Sequence, residues 1–312
     1  MPLRRQVLAA AAVLATPPVG AQPMKIRLGT ATPGGGFPVY GAAFIDGVRR
    51  LDPALEIEAI NTKGSTENVP MLEAGTLDIA LIQGEVAHEA LAGIGRPPAD
   101  LAVVTAMYPT AGMFVVRADS PYRTIADLLG KPVAWGARGS GLVILGRYAM
   151  DGLGYDAAKD FQPIYLERAG DGPAMVLDGR AAALWGGGAG WPGFVTVARS
   201  EPGARFIAPD AEGIRRILAR HGFLKEVTQP AGSFPGQTAP IASVGSWSFV
   251  MARPGLDGAV AYRLARALGE LAKAGNPPVQ LIDTTPANTV KVAPTGRLHP
   301  GVVRYLNETG LL

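Results

Sequence analysis

Cysteine is absent from all 312 residues, which excludes a disulfide framework, a thiolate metal site and a cysteine nucleophile. Histidine is scarce: His88, His221 and His299 are the three present, and none stands at metal-ligand spacing from another. No Gly-x-Ser-x-Gly elbow occurs, and the 26 acidic residues offer no pair in a distinctive setting. Catalysis is hard to build from this set, so no enzyme activity, no metal and no cofactor is expected. A strong charge of one sign is lacking too. The 29 lysines and arginines leave a formal net charge of +3, and no basic stripe interleaves with aromatics, so nucleic acid is a poor partner. No apolar run reaches the roughly 20 residues that cross a bilayer.

What is present is length, glycine and proline. The chain is long enough for two cores, and its 41 glycines and 27 prolines imply many short loops between short elements. Arg4 and Arg5 form a basic start, Val7 to Ala15 is a short apolar stretch, and Val19-Gly20-Ala21 supplies the small residues a signal peptidase needs. Residues 1–21 therefore read as a signal peptide cleaved near Ala21-Gln22, and the chain is expected in the periplasm. Loss of the two arginines takes the formal charge from +3 to +1. The arginine pair leaves Sec and twin-arginine export both open.

Strand-like runs alternate with helical ones along the mature chain, the pattern of doubly wound α/β sheets. Lys25 to Ala31 is followed by a glycine loop and a helix, then by a strand ending at Asn61. Leu101 to Tyr108 and Gly112 to Ala118 read as two further strands, and Ile125 to Leu129 as a short helix. A second unit then repeats the order. Val244 to Pro254 returns as a strand toward the first, and a helix follows with Val260, Leu264, Leu268 and Leu271 on one face. Chain crossings near Ala118 and Ser246 make a hinge. The expected fold is two doubly wound α/β lobes joined by two strands, with residues 22–118 plus 246–312 in lobe 1 and 119–245 in lobe 2.

The segment Lys63 to Gln83 is the most informative. Ser65 reads as the N-cap of a short helix, Ala74-Gly75 ends it, and the buried strand Leu77 to Ile82 runs out into Gln83, at the strand end where open α/β sheets place ligands. Three glycine loops, Gly29 to Gly36, Gly136 to Gly141 and Gly186 to Gly190, follow strands in the same way. Backbone N–H groups there favour an anionic group. Thr30, Thr32, Lys63, Ser65, Gln83, Arg138 and Ser140 have side chains with reach into such a crevice. Lys63 and Arg138 either neutralise a carboxylate or are solvated loop charges. Trp191 either stacks on a ligand or packs in the core, whereas Trp185 reads as core, Arg147 as surface, and His299 as the holder of a turn.

The stretches RLGTATPGGGFPVYGAAF, TKGSTENVPMLEAGTLDIALIQGEVA, GKPVAWGARGSGLVILGRYAMDGLG and LHPGVVRYLNETGL resemble the TAXI-type solute-binding proteins of TRAP transporters, over nearly the whole mature chain. The resemblance implies a type II periplasmic-binding fold. It also implies delivery of a small organic anion, a carboxylate or amino acid, to an ion-coupled TRAP-type membrane permease. The family's ligand contacts carry over to Thr30, Thr32, Gly34, Gly35 and Gly36, to Gly64, Ser65 and Gln83, and to Gly139, Ser140 and Gly141. Gly36-Phe37-Pro38 stands where many members have a Thr-Tyr-Tyr-like stretch, and Ala182 where an acid is often found, so the pocket rim is less polar. A monomer is expected. The same fold leaves an ABC importer or a sensor kinase open as partner, and an exported enzyme would need a nucleophile or metal cluster that the sequence does not offer.

Overall fold

The computed structural model describes residues 24–312; the signal segment read over residues 1–21 lies outside them. The chain enters through β1 (Met24–Gly29), α1 (Gly36–Leu51), β2 (Leu55–Ile60), α2 (Ser65–Glu73), β3 (Ile79–Ile82) and α3 (Gly84–Ala92). Then come β4 (Ala102–Arg117), β5 (Pro132–Ala137), α4 (Gly141–Leu153), β6 (Gln162–Leu166), α5 (Gly172–Leu177), β7 (Ala183–Gly187) and α6 (Pro192–Arg199). The last part holds β8 (Ala204–Ile207), α7 (Ala211–Arg220), β9 (Lys225–Gln229), β10 (Ile241–Ala252), α8 (Gly258–Lys273), α9 (Pro286–Val292) and α10 (Pro300–Glu308).

The strands follow one path, β2-β1-β3-β10-β4-β7-β5-β6, with β8 beside β4 and β9 beside β10. In the first lobe β1, β2 and β3 are parallel and β10 is antiparallel to both β3 and β4. In the second, β5, β6 and β7 are parallel, and β7 and β8 run antiparallel to β4. Helices cover both faces of the first sheet, and β3 shows why its apolar run is unbroken. Ile79 and Leu81 enter one core with Phe44, Val48 and Leu264, while Ala80 and Ile82 enter the opposite core with Val69, Leu72 and Met251. The second lobe has its own core, built on Phe114, Trp135 and Trp185. Trp185 belongs there: it is fully buried and its Nε1 donates to the Leu142 carbonyl at 2.8 Å. The fold is the two-lobed α/β arrangement with a two-strand connection.

Two sequence expectations need correction. Leu101 to Tyr108 and Gly112 to Ala118 are not two strands but one, β4, sixteen residues long. Pro109 stands between the two runs. In the sheet Pro109 lies opposite Trp247, where the register with β10 shifts between Trp247 and Phe249, so the missing N–H falls at an irregularity. β4 pairs with β10 through Ala111 and with β7 from Gly112 onward, so it passes from one sheet to the other within a continuous strand. The helix expected over Ile125 to Leu129 is a single 3₁₀ turn, Ala126–Leu128. His299 does hold its turn: Nδ1 accepts the Gly301 N–H at 3.1 Å as α10 begins, and Nε2 lies 3.1 Å from the Leu256 carbonyl.

One ion-pair cluster ties three elements of the first lobe. Asp78, almost fully buried, accepts the Arg27 backbone N–H and Nε, both at 2.9 Å, and Arg253 Nε at 3.0 Å. Burial pushes its carboxyl up, but the hydrogen bonds from Arg27 and Arg253 outweigh it and hold the pKa at about 2. A folded-state pKa below the ordinary carboxylate value stabilises above about pH 4, and the contribution is lost as pH falls toward 2. The expected loss on acidification is roughly 2 kcal/mol. Urea unfolding of Asp78→Asn should lack this step while being less stable at neutral pH; an unchanged acid limb would show that the pair contributes nothing.

Candidate functional site

The loops at the carboxyl ends of β1, β3, β5 and β7 meet between the lobes around a cavity of about 50 Å³, room for several waters when one needs roughly 10–15 Å³. Around it stand the beginnings of four helices. Gly35 and Gly36 open α1, with Pro38 in its first turn, where a missing N–H costs nothing. Gly64 and Ser65 open α2, Gln83 precedes α3, and Ser140 and Gly141 open α4. Such ends carry unsatisfied N–H groups and the positive pole of the helix. Among the residues lining the cavity none is an acid and one, Lys63, is basic.

Of the residues singled out from sequence, Thr32, Gly35, Gly36, Lys63, Gly64, Ser65, Gln83, Ser140, Gly141 and Trp191 line this cavity. Thr30, Gly34, Arg138 and Gly139 do not. Thr30 is buried behind it, its hydroxyl donating to the Ile60 carbonyl at 3.1 Å. Gly34 packs on Gly170 of the second lobe. Arg138 is exposed, its guanidinium 5.2 Å from the centre of the Tyr165 ring. Gly139 offers its carbonyl to Thr66, from Oγ1 at 3.0 Å and from N at 3.2 Å. Trp191 serves both readings: it packs edge-on against Phe194 at 4.9 Å and also lines the cavity.

Ser65 departs from its expected part. Gly64, not Ser65, is the N-cap of α2. The Ser65 hydroxyl instead accepts the Gln83 backbone N–H at 3.0 Å, which leaves its proton without a protein acceptor among the described residues. Ser140 does cap its helix, accepting the Leu142 N–H at 3.2 Å, and its proton is free in the same way. Asn68, one turn into α2, fixes the floor by donating through Nδ2 to the Thr30 and Leu81 carbonyls, both at 2.9 Å.

Phe37, read from sequence as part of the rim, lines the cavity too, and sequence reasoning missed Tyr108, Thr110 and Leu142, which also line it. Tyr108 had a signal. It ends an apolar strand run, just as Gln83 does, but reading β4 as two strands hid that this strand crosses under the cleft. Burial pushes its phenol above the ordinary value, so it remains a neutral donor and acceptor.

The lobes also touch directly at the rim of the cavity and beyond it. The Ala169 N–H donates to Thr32 Oγ1 at 3.1 Å and the Gly170 N–H to the Pro33 carbonyl at 3.3 Å. On the other flank Glu89 of α3 pairs with Arg147 of α4 and accepts the Tyr148 hydroxyl at 2.8 Å, while His88 stacks on Phe223 at 4.0 Å. Arg147 is thus a half-exposed residue that bridges the lobes.

Solved structures of like fold include a TctC solute-binding protein from Polaromonas, 16% identical, covering 94% of this chain and all of its own, with a TM-score of 0.51. A substrate-binding protein of an amino acid ABC transporter is 14% identical over 83% of this chain and 98% of its own, with a TM-score of 0.51. A periplasmic transporter is 15% identical over 78% and 81%, with a TM-score of 0.52. At such identities the likeness is one of fold. Residues 28–310, nearly the whole described chain, match a family model, and the protein belongs to the NMT1-like family.

Proposed function

We propose that this protein is a periplasmic solute receptor that binds a small organic anion between its lobes and hands it to an ion-coupled TRAP-type permease. The observation that carries the reading is the meeting of four helix beginnings and the free protons of Ser65 and Ser140 at one cavity whose walls hold no acid. A carboxylate is the group such a site stabilises most. Tyr108, Phe37 and Trp191 give the remainder of the ligand an apolar and aromatic wall. Lobe 1 comprises residues 22–118 and 246–312 and lobe 2 residues 119–245, with the hinge where β4 changes partners at Ala111 and Gly112. Closure about that hinge excludes water, and binding without turnover is the whole of the chemistry.

Thermal melting of the refolded mature chain against carboxylates, amino acids and uncharged metabolites tests this. A ligand at 100 times its dissociation constant adds about 2.7 kcal/mol, a shift of several degrees. Ser65→Ala and Ser140→Ala should each weaken binding by about tenfold, one lost charge-assisted hydrogen bond. Unchanged binding in both would remove the cavity from consideration. The TRAP assignment rests on the sequence resemblance. Uptake into vesicles bearing the permease should follow an ion gradient without ATP; a requirement for ATP would assign an ABC importer instead.

A further inference from the structure

One carboxyl beside the cleft has no part in the binding scheme above. Glu85, the second residue of α3, is 0% exposed. Its Oε1 accepts the Ser246 hydroxyl of β10 at 2.7 Å, and its Oε2 has no partner within 3.5 Å among the described residues. Two residues earlier Gln83 lines the cavity, and its Nε2 is also buried, with no partner within 3.5 Å among the described residues. Its Oε1 lies on the side of Gly141, across the cleft at the start of α4. A buried polar atom left unpaired is costly, so two such atoms on interacting side chains, one of them belonging to a residue that lines a ligand cavity, call for a function.

We propose that Glu85 is a positioning residue whose proton decides which end of the Gln83 amide faces the ligand, so that an anion binds together with one proton. This rests on the reading of the cleft as an anion site. An ionised carboxylate can only accept; it takes the Gln83 Nε2–H and leaves the amide oxygen toward the cleft, where it repels an anion. A protonated Glu85 can donate through Oε2 to the Gln83 oxygen, which turns Nε2 toward the cleft as a donor for the anion. The proton comes from solvent and rests on Glu85 Oε2; no bond within the ligand changes.

The surroundings suit such a group. β10 brings no charged side chain to it between Ile241 and Ala252. On α3 itself Glu89 raises the Glu85 pKa and is paired with Arg147 and Tyr148 of α4, and His88, depressed by burial, stacks on Phe223. On α2, Glu67 accepts the Lys63 backbone N–H and Glu73 is held by Arg96. Burial pushes Glu85 up, the Ser246 hydroxyl, its own backbone N–H and the Gln83 side chain pull it back, and it titrates at about 7. A bound anion raises it further. Affinity is therefore full below about pH 7 and falls by up to about tenfold per pH unit above it, until the pKa of the bound form is passed.

The test uses the refolded full-length mature chain, Glu85→Gln, and succinate, L-glutamate and benzoate as probes. In the ligand-free wild type labelled at glutamate Cδ, carbon NMR should show one carboxyl titrating near neutrality that is missing from Glu85→Gln. If all glutamates titrate together in the ordinary acid range, the inference fails. Calorimetry with whichever probe raises the melting temperature most, in buffers of different ionisation heat, should show the wild type taking up close to one proton at about pH 8 and losing affinity with pH. Glu85→Gln should take up none and bind equally across the range. Wild-type binding without proton uptake overturns the inference and leaves the anion site standing. No melting shift from any probe at about pH 6, where Glu85 is protonated, brings down the anion reading and this inference with it.

Discussion

A Gly64→Ala variant should bind its ligand on the order of a hundredfold more weakly than the wild type, and should be less stable as well. Two separate effects combine. Gly64 has φ 115° and ψ −161°, a region open to glycine alone, where another residue pays about 1–3 kcal/mol whatever the lobes do. A Cβ there would also sit 2.8 Å from the Gly139 carbonyl oxygen and 3.2 Å from Ser140 Cα, backbone atoms of the opposite lobe. That clash falls on the contact between the two segments, so on the proposed closure of the lobes over a ligand it appears in affinity, and about 3 kcal/mol corresponds to the hundredfold loss. Gly75→Ala separates the two. Gly75 also has positive φ, at 69°, but nothing lies within 4 Å of its Cβ position; that variant should melt lower and bind normally. Wild-type affinity in Gly64→Ala would show that Gly64 and Gly139 do not meet in the liganded form.

The second large effect has the opposite sign. At about pH 8, Glu85→Gln should be more stable than the wild type by on the order of 3 kcal/mol, or several degrees in melting temperature. At about pH 4, below the ordinary carboxylate value, the difference should nearly vanish. Glu85 is raised by burial from an ordinary 4.5 to about 7 in the folded chain. A carboxyl shifted upward stabilises the fold while both states keep the proton. The benefit is lost between about pH 4.5 and 7, as the unfolded chain releases its proton and the folded chain holds on. Glutamine keeps an acceptor for the Ser246 hydroxyl and has no proton to lose. Equal melting of the two proteins at pH 8 would mean that Glu85 is ionised at little cost.

Much of this was legible in the residues. The run Leu77 to Ile82, closed by Gly75 and opened by Gln83, marks a strand buried on both faces, and the chemistry at its end follows from the fold. The serines at Ser65 and Ser140 were found because hydroxyls beside glycines at helix starts are a local signal. What stayed hidden depends on distance in sequence. Ser65 has the form of a cap, yet its oxygen is taken by Gln83, a partner that only the packing of α2 on β3 supplies. Arg138 has the charge an anion site needs, but its side chain turns outward over Tyr165. Glu85 carries no mark in its sequence neighbourhood; it is buried because β10, more than a hundred and fifty residues later, closes over it.

The shared strands also bear on how the chain folds. Met251 pairs with Ala80 and Val250 with Thr105, while β4 continues from that sheet into pairs with Trp185 and Leu184. The first sheet therefore lacks its central strand until residues 241–252 arrive, after the whole second lobe has been made. Contacts so far apart in sequence form slowly, because the loop must close before any pairing rewards it. The first lobe should thus remain unfinished until late in synthesis, with the edges of β3 and β4 open. Of the two export routes left open by the sequence, that delay suits the Sec route, which takes unfolded chains, and a twin-arginine route would have to wait for residues 241–252.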